Sequence, residues 1–302
     1  MKFELPVNIK HLIILGAGAS AEYGLPTWNP LAELIRDEIL LAPDGTYPFK
    51  EEMLQWIDRV GVDETKYSTI DLCISKLTHH DDYFETAPDI QDAIFRAMRK
   101  VCENMYKQDV KGWIAQLGIK ILRNVTLDDS IAFVNYNYDY VLEKKYLQFE
   151  GVLNAANRKW FDYSRLSLVS RQKALAFHPH GSFYPLAAFE KDSHIIRDQK
   201  TIKSHDQTSL DAVSCYDADK HSVGIPGWSS EAITVYIMGV GGGLEQNLSK
   251  LSINNVVKEV HVTVHDPKLE NSTLNFLKKK FPNAKDNIIA HRDCATLIEN
   301  CF

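Results

Sequence analysis

Six short apolar runs punctuate the chain: Leu12 to Leu15, Ile131 to Val134, Ala174 to Phe177, Ile233 to Met238, Val260 to Val264 and Ile288 to Ala290. Short apolar runs bounded by polar sequence read as buried strands. Between them the apolar positions take helical spacing. Asn29-Pro30 caps a segment in which Leu31, Leu34, Ile35, Ile39 and Leu40 share one face. A second segment begins at Asp89 and carries Ile94, Phe95, Met98, Val101, Cys102, Met105 and Tyr106. A third carries Trp113, Ile114, Leu117, Ile121 and Leu122. Residues 30–128 thus read as a mostly helical insertion between the first two strands. From Ile233 onward strand and helix alternate, which favours a parallel sheet.

The turn after the first run sharpens this picture. Gly16-Ala17-Gly18-Ala19-Ser20-Ala21-Glu22-Tyr23-Gly24-Leu25-Pro26 follows Leu15 directly, and Gly16-x-Gly18-x-x-Ala21 satisfies the general dinucleotide fingerprint. Gly16 and Gly18 allow a sharp turn and a close approach to an anion, with free N–H groups beyond them facing it. Glu33 or Asp37 stands at a tolerable distance for a ribose-binding acid. The competing reading is a tight strand-to-helix turn with no ligand. The expected fold is α/β: a Rossmann-like, mostly parallel sheet with helices on both faces and a large helical insertion after the first strand. One domain covers residues 1–302, with 129–302 completing the core. Within it Glu190 to Ser230 is weakly patterned and reads as a loop or small insertion in the stretch 185–230.

Composition narrows the setting. The 302 residues are 45% hydrophobic, yet no apolar run approaches the roughly 18 residues of a membrane span. Met1-Lys2-Phe3-Glu4 lacks a signal peptide's layout, so a cytoplasmic protein without a membrane is expected. A net charge of -6 gives no reason to expect direct nucleic-acid binding. The five cysteines, Cys73, Cys102, Cys215, Cys294 and Cys301, are odd in number and form no Cys-x-x-Cys pair, so neither disulfides nor a metal site are expected.

Two further segments sit at strand ends, where open α/β sheets gather their ligands. Phe133-Val134-Asn135-Tyr136-Asn137-Tyr138-Asp139 offers an amide and a carboxylate one residue apart, able to face a sugar and a carboxamide. Either residue alone reads equally well as a helix cap. Phe177-His178-Pro179-His180-Gly181-Ser182-Phe183 offers a histidine open on its glycine side, with a pKa suited to proton transfer near neutrality.

Together these segments resemble the SIR2, or sirtuin-like, family. Gly16, Ala17, Gly18, Ser20, Gly24 and Pro26 match its opening Gly-Ala-Gly-x-Ser and later Gly-x-Pro. Asn137 and Asp139 match its Asn-x-Asp loop, and His180 and Gly181 its catalytic His-Gly. Gly239-Val240-Gly241 takes the place of its glycine-rich phosphate and ribose loop, and Asp293-Cys294 resembles the segment whose backbone touches adenine. Protein-deacylating members carry Asp-Phe-Arg after Gly-x-Pro and a four-cysteine zinc module; here Thr27-Trp28-Asn29 and a cysteine-poor loop stand instead. The pattern is closer to the bacterial anti-phage branch, which hydrolyses NAD and starves an infected cell.

The resemblance implies cleavage of the nicotinamide N-glycosidic bond of NAD as substrate, with no metal. It assigns Asp139 to the carboxamide, Asn137 to the ribose hydroxyls and the incoming water, and His180 to the general base. Ala17, Ser20 and the glycines hold the pyrophosphate, Trp28 walls the sugar face, and Asp266 takes the adenosine ribose. It also implies restraint by assembly: a homo-oligomer, or a complex with a separate sensor such as an ATPase, a short Argonaute or a nucleotide-handling protein. A catalytically silent NAD or ADP-ribose-binding module, a protein deacylase and a dehydrogenase stand as alternatives. His79-His80-Asp81-Asp82 reads as a solvated loop, Lys278-Lys279-Lys280 as a helix end, and Cys294 with Cys301 as one packing face.

Overall fold

The structure, a computed structural model, describes residues 2–4, 9–26, 28–62, 86–107, 111–123, 131–137, 139, 141–142, 159–162, 167–170, 173–177, 222–224, 232–241, 244–249, 251–253 and 256–302. Its strands are Lys2–Glu4 (β1), His11–Leu15 (β2), Ile131–Asn135 (β3), Lys159–Asp162 (β4), Ser167–Ser170 (β5), Lys173–Phe177 (β6), Ser222–Gly224 (β7), Ile233–Met238 (β8), Leu251–Ser252 (β9), Val257–Thr263 (β10) and Ile288–His291 (β11). Its helices are Ala17–Ser20 (α1), Trp28–Leu41 (α2), Lys50–Val62 (α3), Ala87–Lys107 (α4), Gly112–Arg123 (α5), Leu244–Ser249 (α6), Pro267–Lys280 (α7) and Cys294–Cys301 (α8).

Eight strands form the main sheet in the order β11-β10-β8-β2-β3-β6-β5-β4. The run from β11 to β6 is parallel, and β5 and β4 extend it antiparallel. The fold is therefore α/β with a mostly parallel sheet. Strand alternation divides the core in two. Leu12 and Ile14 of β2 join Val134, Ile237, Val260 and Val262 beneath α6 and α7, through Leu248, Leu277 and Phe281. Ile13 and Leu15 join Phe133, Tyr236 and Met238 beneath α2 to α5 and α8, through Ile35, Trp56, Ile94, Trp113 and Leu297. A strand covered on both faces has no polar side, which is why β2 reads as an unbroken apolar run. Each such side chain stabilises the fold by about 1.5–3 kcal/mol when fully buried.

All six strands read from the apolar runs are present, and β10 begins three residues early. Val257 is buried and pairs with Ile233 ahead of a register shift, so the strand reaches past the shift. Helix α2 begins at Trp28, which puts Asn29-Pro30 inside its first turn instead of at its cap. The first turn tolerates proline because its N–H has no helical partner there. Strands β1, β7 and β9 form a separate three-stranded parallel sheet, an arrangement that the sequence pattern did not indicate. It takes Ser222–Gly224 out of the stretch read as loop; the rest of Glu190 to Ser230, like His79 to Asp82, lies outside the described residues. The three lysines end α7 as expected, and Lys280 also donates to the Leu251 carbonyl at 3.1 Å. No helix among the described residues is long and apolar enough to cross a membrane.

The helices between β2 and β3 are tied to the glycine turn at one corner. Trp113, at the start of α5, donates its indole N–H to the Ala19 carbonyl at 2.7 Å and its backbone N–H to Glu22 at 2.9 Å. The buried Tyr23 hydroxyl donates to the Lys111 carbonyl at 2.7 Å and accepts from Ile114 N at 3.1 Å. Removing that hydroxyl leaves the buried Ile114 N–H and the part-buried Lys111 carbonyl unmatched. Tyr23→Phe is therefore expected to lose about 1–3 kcal/mol in urea unfolding; an unchanged midpoint would show that this corner contributes nothing.

Candidate functional site

The order of the sheet reverses between β2 and β8. The chain leaves β2 for β3 over the face covered by α2 to α5, and leaves β8 for β10 and β11 in the opposite direction over the face of α6 and α7. In sheets of this kind ligands bind in the crevice outside the strand carboxyl ends at that reversal. The two glycine loops, Gly16-Ala17-Gly18 and Gly239-Val240-Gly241, leave β2 and β8 at this place.

The loops are held against one another. Gly16 N donates to the Met238 carbonyl and Gly18 N to the Gly239 carbonyl, each at 2.9 Å. Gly239 has φ +65, and a Cβ there would lie 1.9 Å from Ala19 N. Gly16 and Gly18 face the same contact, with Gly239 atoms 2.7 Å and 2.9 Å from any added Cβ. These glycines are thus required by backbone packing, and the N–H groups of Gly16, Gly18 and Ala19 bond within the protein. Thr263 Oγ1 at the end of β10 accepts from Gly239 N at 2.8 Å and holds the second loop from its far side. Gly241 differs: it is exposed, and an added Cβ would meet nothing within 4 Å. Ala17 and Gly18, at the turn of the first loop, are exposed as well.

The end of β3 closes the constellation. Tyr136 N donates to the Leu15 carbonyl, while its hydroxyl donates to the Asn247 carbonyl of α6 at 2.7 Å. Asn137 is buried, and its Nδ2 donates to the Gly16 carbonyl at 2.9 Å and to Ser20 Oγ at 3.0 Å. Its own N–H donates to Asn135 Oδ1 at 3.0 Å. Asp139 is fully buried, and its Oδ1 accepts from Val141 N at 2.9 Å, which is the capping geometry open to it from sequence. Gly16, Ser20, Asn137 and Gly239 are therefore brought together, with Asp139 next to them in the same loop as Asn137.

The remaining expected site residues divide. Asp266 caps α7, accepting from Lys268 N at 2.9 Å, and Asp293 caps α8, accepting from Thr296 N at 2.7 Å. That Thr296 N–H holds the Asp293 carboxyl below its ordinary value. Cys294 packs against the core, and burial pushes its thiol up to about 12. Pro26 is half-buried ahead of α2. His180, Gly181 and the Trp28 side chain lie outside the described residues. Glu33 and Asp37 lie on exposed positions of α2.

One cluster escaped the sequence reading. His261 on β10, His291 on β11 and Cys301 at the end of α8 bring their donor atoms within 4.8 Å of one another. Burial, with the neighbouring His261, holds His291 below its ordinary value, and burial pushes the Cys301 thiol up to about 11. No local spacing marks these residues, because three separate elements supply them.

Compared with known family models and with curated proteins, the chain gives no match.

The two loop glycines make opposite predictions. Gly239→Ala places a side chain on a left-handed backbone against Ala19 N and is expected to destabilise by about 1–3 kcal/mol or more. Gly241→Ala is expected to leave the melting temperature unchanged. Calorimetry of both variants checks this, and equal melting temperatures would contradict the loop contact.

Proposed function

We propose that this chain is an NAD+ hydrolase of SIR2 type with a Rossmann-like core, cleaving the nicotinamide N-glycosidic bond to nicotinamide and ADP-ribose. The observation that carries the reading is the reversal between β2 and β8, where two glycine loops and the Asn137 side chain meet at the strand carboxyl ends. Gly241 supports it, since neither packing nor backbone strain accounts for glycine at that exposed position. An approaching phosphate or ribose does.

In this reading NAD lies over the paired loops with its pyrophosphate near Ala17 and Ser20. The leaving nicotinamide neutralises its ring by taking the bonding electron pair, and the ribose develops oxocarbenium character. Asn137 steadies the ribose hydroxyls and the water that attacks the anomeric carbon, and His180 accepts the proton. Asp139 takes the carboxamide; because it is fully buried, its loop must open when substrate binds. The resemblance further suggests an anti-phage effector that starves the infected cell and is switched on by oligomer assembly or a separate sensor. Light scattering of a fully active monomer would contradict that last part.

One observation favours a second reading. The Asn137 amide already bonds to Gly16 and Ser20, as it would in a silent NAD or ADP-ribose-binding module. Turnover separates the two. NAD consumption by the purified chain, alone and with its genomic neighbours, is expected to yield nicotinamide and ADP-ribose. His180→Ala is expected to lower kcat by about 10²–10⁴-fold, and Asn137→Ala to lower it as well. Binding without turnover selects the silent module, and full activity in both variants overturns the residue roles.

A further inference from the structure

At the β11 edge of the main sheet, His261 Nδ1 lies 3.0 Å from His291 Nε2 and 3.3 Å from Cys301 Sγ, and the two latter atoms are 3.9 Å apart. A tetrahedral zinc with Zn–N of about 2.0–2.1 Å and Zn–S of about 2.3 Å separates neighbouring donors by about 3.3–3.6 Å. The three observed separations bracket that range. They define one triangular face of such a coordination sphere.

A second, independent observation concerns the far side of His261. Its Nε2 lies 3.4 Å from Glu259 Oε1. A carboxylate there accepts a hydrogen bond from Nε2–H, which keeps the proton on Nε2 and leaves the Nδ1 lone pair directed at His291 and Cys301. Carboxylates hold metal-binding histidines in this way, fixing the tautomer and strengthening the donor. Tyr236 stacks on the His261 ring, with centroids 5.2 Å apart and planes at 10°, and fixes its plane. His261 and His291 are both buried, so little surface is lost when the donors engage.

We propose that His261, His291 and Cys301 form a binding site for a borderline-soft divalent transition ion, zinc foremost, with Glu259 positioning His261. The donor set suits this class: imidazole and thiolate favour zinc over magnesium or calcium, which take oxygen ligands. On binding, the Cys301 S–H bond breaks heterolytically, the sulfur keeps the electron pair for the metal, and the proton passes to solvent. Among the described residues no fourth side chain joins the group, and water completes the sphere. The ion ties the end of α8 to β10 and β11, fastening the edge of the sheet. This site is distinct in residues from the proposed NAD crevice and does not depend on that reading.

The test is titration of the chelator-treated full chain with Co²⁺. We expect one equivalent to bind and to give a near-ultraviolet thiolate-to-cobalt charge-transfer band with tetrahedral visible bands. Cys301→Ser should abolish the charge-transfer band while circular dichroism stays unchanged. His291→Ala should weaken binding at least tenfold, and Glu259→Gln should weaken it by about 10–100-fold without losing the band. Absence of the band in the unaltered chain overturns the proposal, as does a band that survives Cys301→Ser, since it then arises from another cysteine.

Discussion

The contact of two backbones at the reversal of the sheet governs what surrounds it. Gly239 lies so close to the Gly18–Ala19 peptide that no side chain fits between them. This proximity lets Gly18 N reach the Gly239 carbonyl and keeps β2 and β8 in register to their carboxyl ends, while the Gly16 carbonyl accepts from both Ala19 N and Asn137. Thr263 continues the support to β10, and Trp113 and Glu22 fasten the same turn to α5. Three separate chain segments, at Met238–Gly239, Asn137 and Trp113, thus converge on a turn of a few residues. A ligand bound over the turn meets a floor held by hydrogen bonds from several sides, which limits the ordering that binding would otherwise require.

Much of this was legible in sequence because it is local. Parallel strands read as short apolar runs, and β2, β3, β6, β8, β10 and β11 all announce themselves in that way, β2 and β3 because both of their faces are buried. The glycine turn was also visible, although its physical cause was only partly so. A glycine demanded by an anion and a glycine demanded by another backbone look identical in sequence. Here Gly16 and Gly18 answer to Gly239, whereas neither packing nor a positive φ asks for glycine at Gly241.

What escaped the sequence lacked either length or proximity. Strands β1, β7 and β9 have three, three and two residues, too few for alternation to register. Helix α2 starts at Trp28, which moves Asn29-Pro30 from the expected cap into the first turn. The cluster of His261, His291 and Cys301 joins residues 30 and 10 positions apart, with no motif spacing. The sheet register brings the two histidines together, setting His291 opposite Thr263, two residues from His261 and on the same side of β10.

On the proposed reading a nucleotide lies over the paired loops at the β2–β8 reversal. Hydrogen–deuterium exchange of the full chain, with and without saturating ADP-ribose, tests it most directly because it requires no turnover. Slowed exchange confined to residues 16–20, 135–142 and 239–244 is the predicted result. An exchange pattern unchanged by ADP-ribose, or protection only at segments remote from these loops, would contradict it.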